Sequence, residues 1–136
     1  MIAALICVIS VTAFLQFFIS YCRSALATSR KVSLSEHVQE ITGIASGNVA
    51  AADFPRLLQL VRLCPERADD QTEIRAVGTY YSLLAAIGRS TRALMPKLAE
   101  WTEQERRSCS YFAAVALDRR ITYTRGLYTE QVAERL

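Results

Sequence analysis

Histidine is almost missing from this chain of 136 residues, where His37 stands alone. A metal site built on imidazoles needs several such ligands, and Glu36, His37 and Glu40 offer at most a weak cluster on one helix face. The second Glu-x-x-His half of a carboxylate-bridged bundle site is not there, so His37 reads as a surface residue. No histidine falls in the apolar first 22 residues, which excludes imidazole ligation of haem or a chlorin by this chain inside a bilayer. Cysteine is scattered: Cys7, Cys22, Cys64 and Cys109 form no CxxC or other ligand-like spacing. A secreted domain stapled by disulfides would carry more cysteines at closer intervals, and the isolated Cys64 and Cys109 fit a reducing compartment as buried thiols. There is no glycine-rich phosphate loop, no HExxH and no pair of catalytic carboxylates in a recognisable context. No cofactor is implied. No internal repeat of a solenoid type and no sustained β-type alternation is present.

Charge of one sign is also lacking. The net charge is +3, and acidic residues lie between the basic ones along most of the chain. That pattern belongs to a mixed solvated surface and excludes a nucleic-acid-binding stripe. The run "DRRITYTRGLY" places Arg119, Arg120, Tyr123, Arg125 and Tyr128 close together. With Asp118 beside them they read as a solvated helix end or a contact surface for protein or anionic lipid. Cys109 follows two arginines in "RRSCSYF", which would lower a thiol pKa; on a helix, however, it shares the apolar face with Phe112 and Ala116, and packing is the expectation.

What is abundant is apolar sequence at the start. From Met1 to Cys22 there is no charged side chain, and about 20 apolar residues suffice for a helix to cross the hydrocarbon of a bilayer. A cleavable signal would open on Lys or Arg, carry a shorter apolar run and end in a neutral small-residue site. Here the basic start is missing, the run is long and Arg23 interrupts the region of the small-x-small triplet Ala25-Leu26-Ala27. The expectation is a retained anchor at residues 1–22, with a secreted helical domain after cleavage at Ala27 as the alternative. Arg23, Arg30 and Lys31 follow the segment and none precedes it, which predicts a single-pass protein of the cell membrane with its N-terminus outside and its C-terminal domain in the cytoplasm. Tyr21 fits the headgroup level. Thr12, Gln16 and Ser20 recur every four residues as a polar line on one face, and the Gln16 amide is the member that a partner helix would satisfy.

The remainder reads as helices. Residues 23–33 form a basic juxtamembrane linker and 34–136 a bundle domain. "SLSEHVQEITGIASGN" carries Leu34, Val38, Ile41 and Ala45 at helical spacing, with a Ser33–Glu36 capping box and an end at Gly47 and Asn48. "DFPRLLQLVRLCP" carries Phe54, Leu57, Leu58, Val61 and Cys64, opened by Asp53 and closed by Pro65. After a loop from Glu66 to Gln71, Ile74, Val77, Gly78, Tyr81, Leu84, Ala85 and Gly88 share one face, and the small residues among them let another helix approach. Pro96 interrupts the next segment and leaves "KLAEW" as a short turn or helix. A box of Thr102 and Glu105 then opens a helix to about Thr122 with Cys109, Phe112, Ala113, Ala116 and Leu117 inward, Gly126 ends that element or the extension beyond it, and Thr129 caps a terminal one.

These observations predict an all-α protein: one N-terminal transmembrane helix followed by a small up-and-down bundle of about four helices. The expected role is non-enzymatic protein binding, as an accessory subunit or scaffold of a membrane complex. Its expected partners are that complex or another transmembrane helix, together with the lipid bilayer, and not nucleic acid. A membrane-tethered cytoplasmic module for a ligand or acidic surface is the competing reading. The expected partner-binding residues are Thr12, Gln16, Ser20, Arg119, Arg120, Tyr123, Arg125 and Tyr128, and the expected membrane-flanking residues are Tyr21, Arg23, Arg30 and Lys31.

Overall fold

The structure is a computed structural model that describes residues 1–43 and 49–136; the side chain of His37, and the helix end expected at Ala45, Gly47 and Asn48, lie outside the described residues. Among the described residues there is no strand. The order is α1 (Ile2–Arg30), α2 (Glu36–Thr42), a 3-10 turn (Ala51–Asp53), α3 (Phe54–Leu63), α4 (Ala68–Thr91) and α5 (Pro96–Arg135).

The uncharged N-terminal sequence forms α1, but the helix does not stop where the charges begin. It runs unbroken to Arg30, so most of the expected linker at 23–33 is its last two turns. Cys22, Leu26 and Ser29 on those turns are buried. The apolar segment and the bundle therefore share one rod. Four residues past its end, Leu34 tucks into the core, and Ser35 is the N-cap residue of α2. The expected capping box at Ser33 does not form. The Ser35 amide and hydroxyl instead donate to the two carboxylate oxygens of Asp118, at 3.1 and 2.8 Å, tying the start of α2 to α5. Gly43 closes α2 with φ 67°, a left-handed conformation that glycine adopts without steric cost.

Pro55 sits in the first turn of α3, where its missing N–H leaves no bond unmade. Pro65 holds Cys64 extended and ends the helix. The polar segment expected as a loop at 66–71 is already helical from Ala68, with Asp69 and Asp70 in the first turn of α4 where the helix dipole favours them.

The largest difference lies at the C-terminal end. Pro96, expected to interrupt a helix, begins one, and α5 continues through Thr102, Gly126 and Thr129 for 40 residues. The two threonines do not cap. Thr102 donates to the Ala99 carbonyl at 2.8 Å and Thr129 to the Arg125 carbonyl at 2.9 Å, both one turn back along the same helix.

From Ser108 to Leu117 every residue of α5 is buried except Tyr111, which is half-buried. Stretches buried all round belong at the centre of a fold, and α1, α3, α4 and the 3-10 turn all pack on this one helix. The core joins Cys22 and Leu26 of α1, Val38 of α2, Phe54, Leu57 and Val61 of α3, Val77, Tyr80 and Leu84 of α4 and the buried face of α5. Tyr80, not Tyr81, is the fully buried tyrosine of α4. Of the two α4 glycines, Gly88 has the expected packing reason, since a Cβ there would lie 2.9 Å from the Thr102 hydroxyl, whereas one on Gly78 would meet open space.

Candidate functional site

Residues 1–17 of α1 are exposed along their whole length, and Phe18 and Ile19 are the first to pack on the core. This is the one helix among the described residues that is long and apolar enough to cross a membrane, and none of its 18-residue apolar window is buried. On it, the Thr12 hydroxyl donates to the Val8 carbonyl at 2.8 Å and is satisfied within the helix. Gln16 and Ser20 are exposed and make no side-chain hydrogen bond to a described residue. Of that polar line, Gln16 retains two donors and an acceptor for another molecule.

The expected flanking residues behave differently from one another. Tyr21, Arg23 and Lys31 are exposed. Arg30 reaches back over the bundle, donating to the Ser108 hydroxyl and lying 3.8 Å from the Glu105 carboxylate. Glu105 is itself buried and accepts the Tyr80 hydroxyl at 3.0 Å. Burial and then Glu105 push the Tyr80 phenol above its ordinary range. A flanking cation of α1 is thus part of the polar lining between α1, α4 and α5.

The residues expected on the α5 surface also divide. Arg120 is 3% exposed, and it is not a surface contact. Its guanidinium donates to both oxygens of Asp70, at 3.2 and 3.0 Å, and to the Val61 carbonyl at 2.9 Å, joining α5 to α4 and α3. The planar fork of arginine matches this bidentate carboxylate together with a third acceptor. Arg119, Arg125 and Tyr128 are exposed, and their side chains make no interaction with a described residue. Tyr123 is exposed and lies under the Arg67 guanidinium, 5.2 Å from the ring centroid. Sequence spacing missed the burial of Arg120 because its partner Asp70 stood in a stretch that read as loop. Asp118 and Glu105 were missed for the same kind of reason, since each answers a partner distant in the chain.

Cys109 is fully buried, and its thiol is pushed up to about 12, first by burial and then by Glu105 and Cys22; Arg106 acts in the opposite direction and is outweighed. Burial likewise raises Cys64. Neither thiol is poised as a thiolate at neutral pH. Among the described residues no group of three or more His, Cys, Asp or Glu converges as metal ligands would.

A surface that the sequence did not disclose lies between α3 and α4. Both helices pack on α5 without running along each other, and they meet where the Phe54 and Tyr81 rings stack at 4.3 Å. The space between them is an open groove of about 910 Å³ whose lining includes Leu58, Val61, Ile74 and Gly78 together with the charged Arg62, Arg75 and Glu66. No protein-family model matches this chain, and neither a curated protein nor a solved structure does.

Proposed function

We propose that this chain is a single-pass, membrane-anchored helical protein with a non-catalytic, protein-binding role, an accessory subunit or scaffold of a membrane complex. One observation carries the reading: α1 presents an uncharged, wholly exposed apolar rod, rooted through Cys22 and Leu26 in the core of a helical bundle. A rod of that composition is stable in lipid and costly in water. Retention is supported by the same burial, because cleavage after Ala27 would remove Cys22 and Leu26 from the core. The basic residues Arg23, Arg30 and Lys31 after the span support an orientation with the N-terminus outside and the bundle in the cytoplasm. Contact with another transmembrane helix falls to the face of Thr12, Gln16 and Ser20, with the Gln16 amide as the polar anchor. The exposed Arg119, Tyr123, Arg125 and Tyr128 at the end of α5 form a second contact surface.

Purification of the full chain from its native membranes in mild detergent, with mass spectrometry of the intact preparation, tests this. Companions at fixed stoichiometry and an uncleaved N-terminus are expected, and Gln16→Leu should reduce their recovery. A lone chain beginning near Thr28 would overturn anchor and role together. The groove between α3 and α4 supports a second reading, a membrane-tethered binding module for an acidic ligand, in which Arg62→Glu with Arg75→Glu abolishes function and Gln16→Leu leaves it intact.

A further inference from the structure

The direction of the two longest helices bears on which end of the bundle meets a bilayer. At the end of α1, Arg30 meets Glu105 and Ser108 of α5. Earlier in α1, Tyr21, Ser24 and Ala25 line one small cavity with Phe112 and Arg119. As α1 is followed back toward its start, α5 is therefore followed forward toward its end, and the two helices are antiparallel. They leave the bundle at the same end. The start of α4 is there too, fixed by Asp70 against Arg120 and by Arg67 over Tyr123, whereas the turn from Arg92 to Met95 lies at the opposite end, next to the contact of Gly88 with Thr102.

Beyond that common end, residues 1–17 of α1 and 122–136 of α5 are exposed, apart from the half-buried Thr124. The two projecting segments differ in chemistry. α1 carries no charge before Arg23, but the end of α5 carries Arg125, Glu130, Glu134 and Arg135 between Tyr123, Leu127, Tyr128 and Val132. If the exposed residues 1–17 of α1 lie in hydrocarbon, its edge falls near Phe18, where the core begins and one turn before Tyr21. No spacer separates bundle from bilayer. A straight continuation of α5 from that level would enter the apolar layer, where its charges are not tolerated. The same composition, tyrosines and aliphatics interleaved with arginine and glutamate, suits the headgroup layer.

We infer that residues 122–136 of α5, with the exposed Arg119 before them, are a second membrane element, lying along the lipid headgroups of the leaflet that α1 leaves, with Tyr123 and Tyr128 at the interface and Arg119 and Arg125 on lipid phosphates. This deepens the second contact surface proposed above and rests on α1 as the anchor. Gly126, around which a Cβ would meet nothing within 4 Å, is the place where the segment can turn away from the line of α1.

The test uses the full chain with Cys7→Ser and Cys64→Ser, which leaves only the two buried native thiols. A single NBD fluorophore is placed by Ile9→Cys, Tyr128→Cys or Leu94→Cys, and the protein is reconstituted in vesicles of phosphatidylcholine and phosphatidylserine. Lipids carrying a nitroxide deep in the acyl chain should quench position 9. Lipids carrying it at the headgroup should quench position 128 several-fold more than position 94, which a water-soluble quencher should reach freely. Arg119→Glu with Arg125→Glu should reduce the headgroup quenching at 128 without changing that at 9. Water-like behaviour at 128 with position 9 quenched overturns the inference and leaves the anchor standing. Protection of 128 from lipid and aqueous quenchers alike would mean a protein cover and also overturns it. Deep quenching at 128 overturns the surface placement. If position 9 escapes both lipid quenchers, the anchor reading itself fails and the inference with it.

Discussion

Each of the two long helices is divided into a packed half and a projecting half, and the division follows different chemistry in the two cases. In α1 the half that packs, residues 18–30, is two-faced, with Cys22, Leu26 and Ser29 buried and Arg23 and Arg30 exposed, while the exposed residues 1–17 are almost wholly apolar. In α5 the order is the usual one, with apolar residues at 109–117 buried and the charged end exposed. Hydropathy alone would place the start of α1 inside a protein and its end outside. The membrane reading proposed above accounts for this inversion, because an apolar side chain leaves solvent only where partner atoms or lipid remove it.

Truncation gives the sharpest way to break this comparison. Removal of residues 1–17 should leave a bundle that still melts cooperatively, since every residue removed is exposed. Removal of 1–30 takes Cys22 and Leu26 out of the core and Arg30 from Glu105. Burial of one leucine side chain is worth roughly 1.5–3 kcal/mol against a total stability of about 5–15 kcal/mol. Thermal unfolding followed by circular dichroism should show a transition in the first variant and none in the second. Equal behaviour would mean that the C-terminal half of α1 does not belong to the fold.

A pair of arginines five residues apart repeats the contrast on α5. Arg120→Met leaves Asp70 buried without its partner, which should cost roughly 3–5 kcal/mol in urea unfolding. Arg125→Met, in the projecting half, should stay within about 0.5 kcal/mol of the parent. A small effect at Arg120 would show that the pair is not buried in solution.

The all-α class, the long apolar N-terminal helix, the α3 boundaries at Pro55 and Pro65 and the inward face of Phe112, Ala113 and Ala116 were legible in the sequence, because each depends on local spacing or on a proline. What was not legible depends on partners. The capping signal of Thr102 and Glu105 is a local pattern, yet tertiary packing uses the same two residues inside a helix, one against Gly88 and one against Tyr80. Gly126 is a helix stop by propensity, but one glycine costs about 1 kcal/mol and does not end a 40-residue helix. Arg120 read as surface because nothing in "DRRITYTRGLY" announces Asp70, 50 residues earlier. The α3–α4 groove comes from two helices sharing α5 without touching along their length, which no single segment encodes.

Alkaline titration sharpens the contrast through the packed half. The Cys109 thiol is held up to about 12 against an ordinary value of 9.0, so the folded protein keeps that proton more tightly than the unfolded chain. The stabilisation is complete below about 9 and is lost as pH rises through that interval toward 12. Burial and Glu105 shift Tyr80 in the same direction. Midpoints of unfolding measured at increasing alkaline pH should fall, and Cys109→Ala should lessen the fall. A parallel pH dependence in parent and variant would show that this thiol contributes nothing to it.

The smallest effects, and the only pair expected to differ in sign, belong to two glycines. Gly126→Ala gains helix propensity of up to about 1 kcal/mol locally and meets no atom within 4 Å, so the end of α5 should become more helical while the melting of the core is unchanged. Gly88→Ala gains the same propensity, but its Cβ would stand 2.9 Å from the hydroxyl of Thr102, a residue 1% exposed that already donates to Ala99. Moving the buried Thr102 aside would also break its bond to Ala99, so overpacking should outweigh the gain and lower stability by roughly 1 kcal/mol. Hydrogen exchange at the α5 end reads the first change and denaturant unfolding the second. If Gly88→Ala stabilised the protein instead, the close approach of α4 to α5 at that end would be wrong, and with it the level assigned to the turn at Arg92 to Met95.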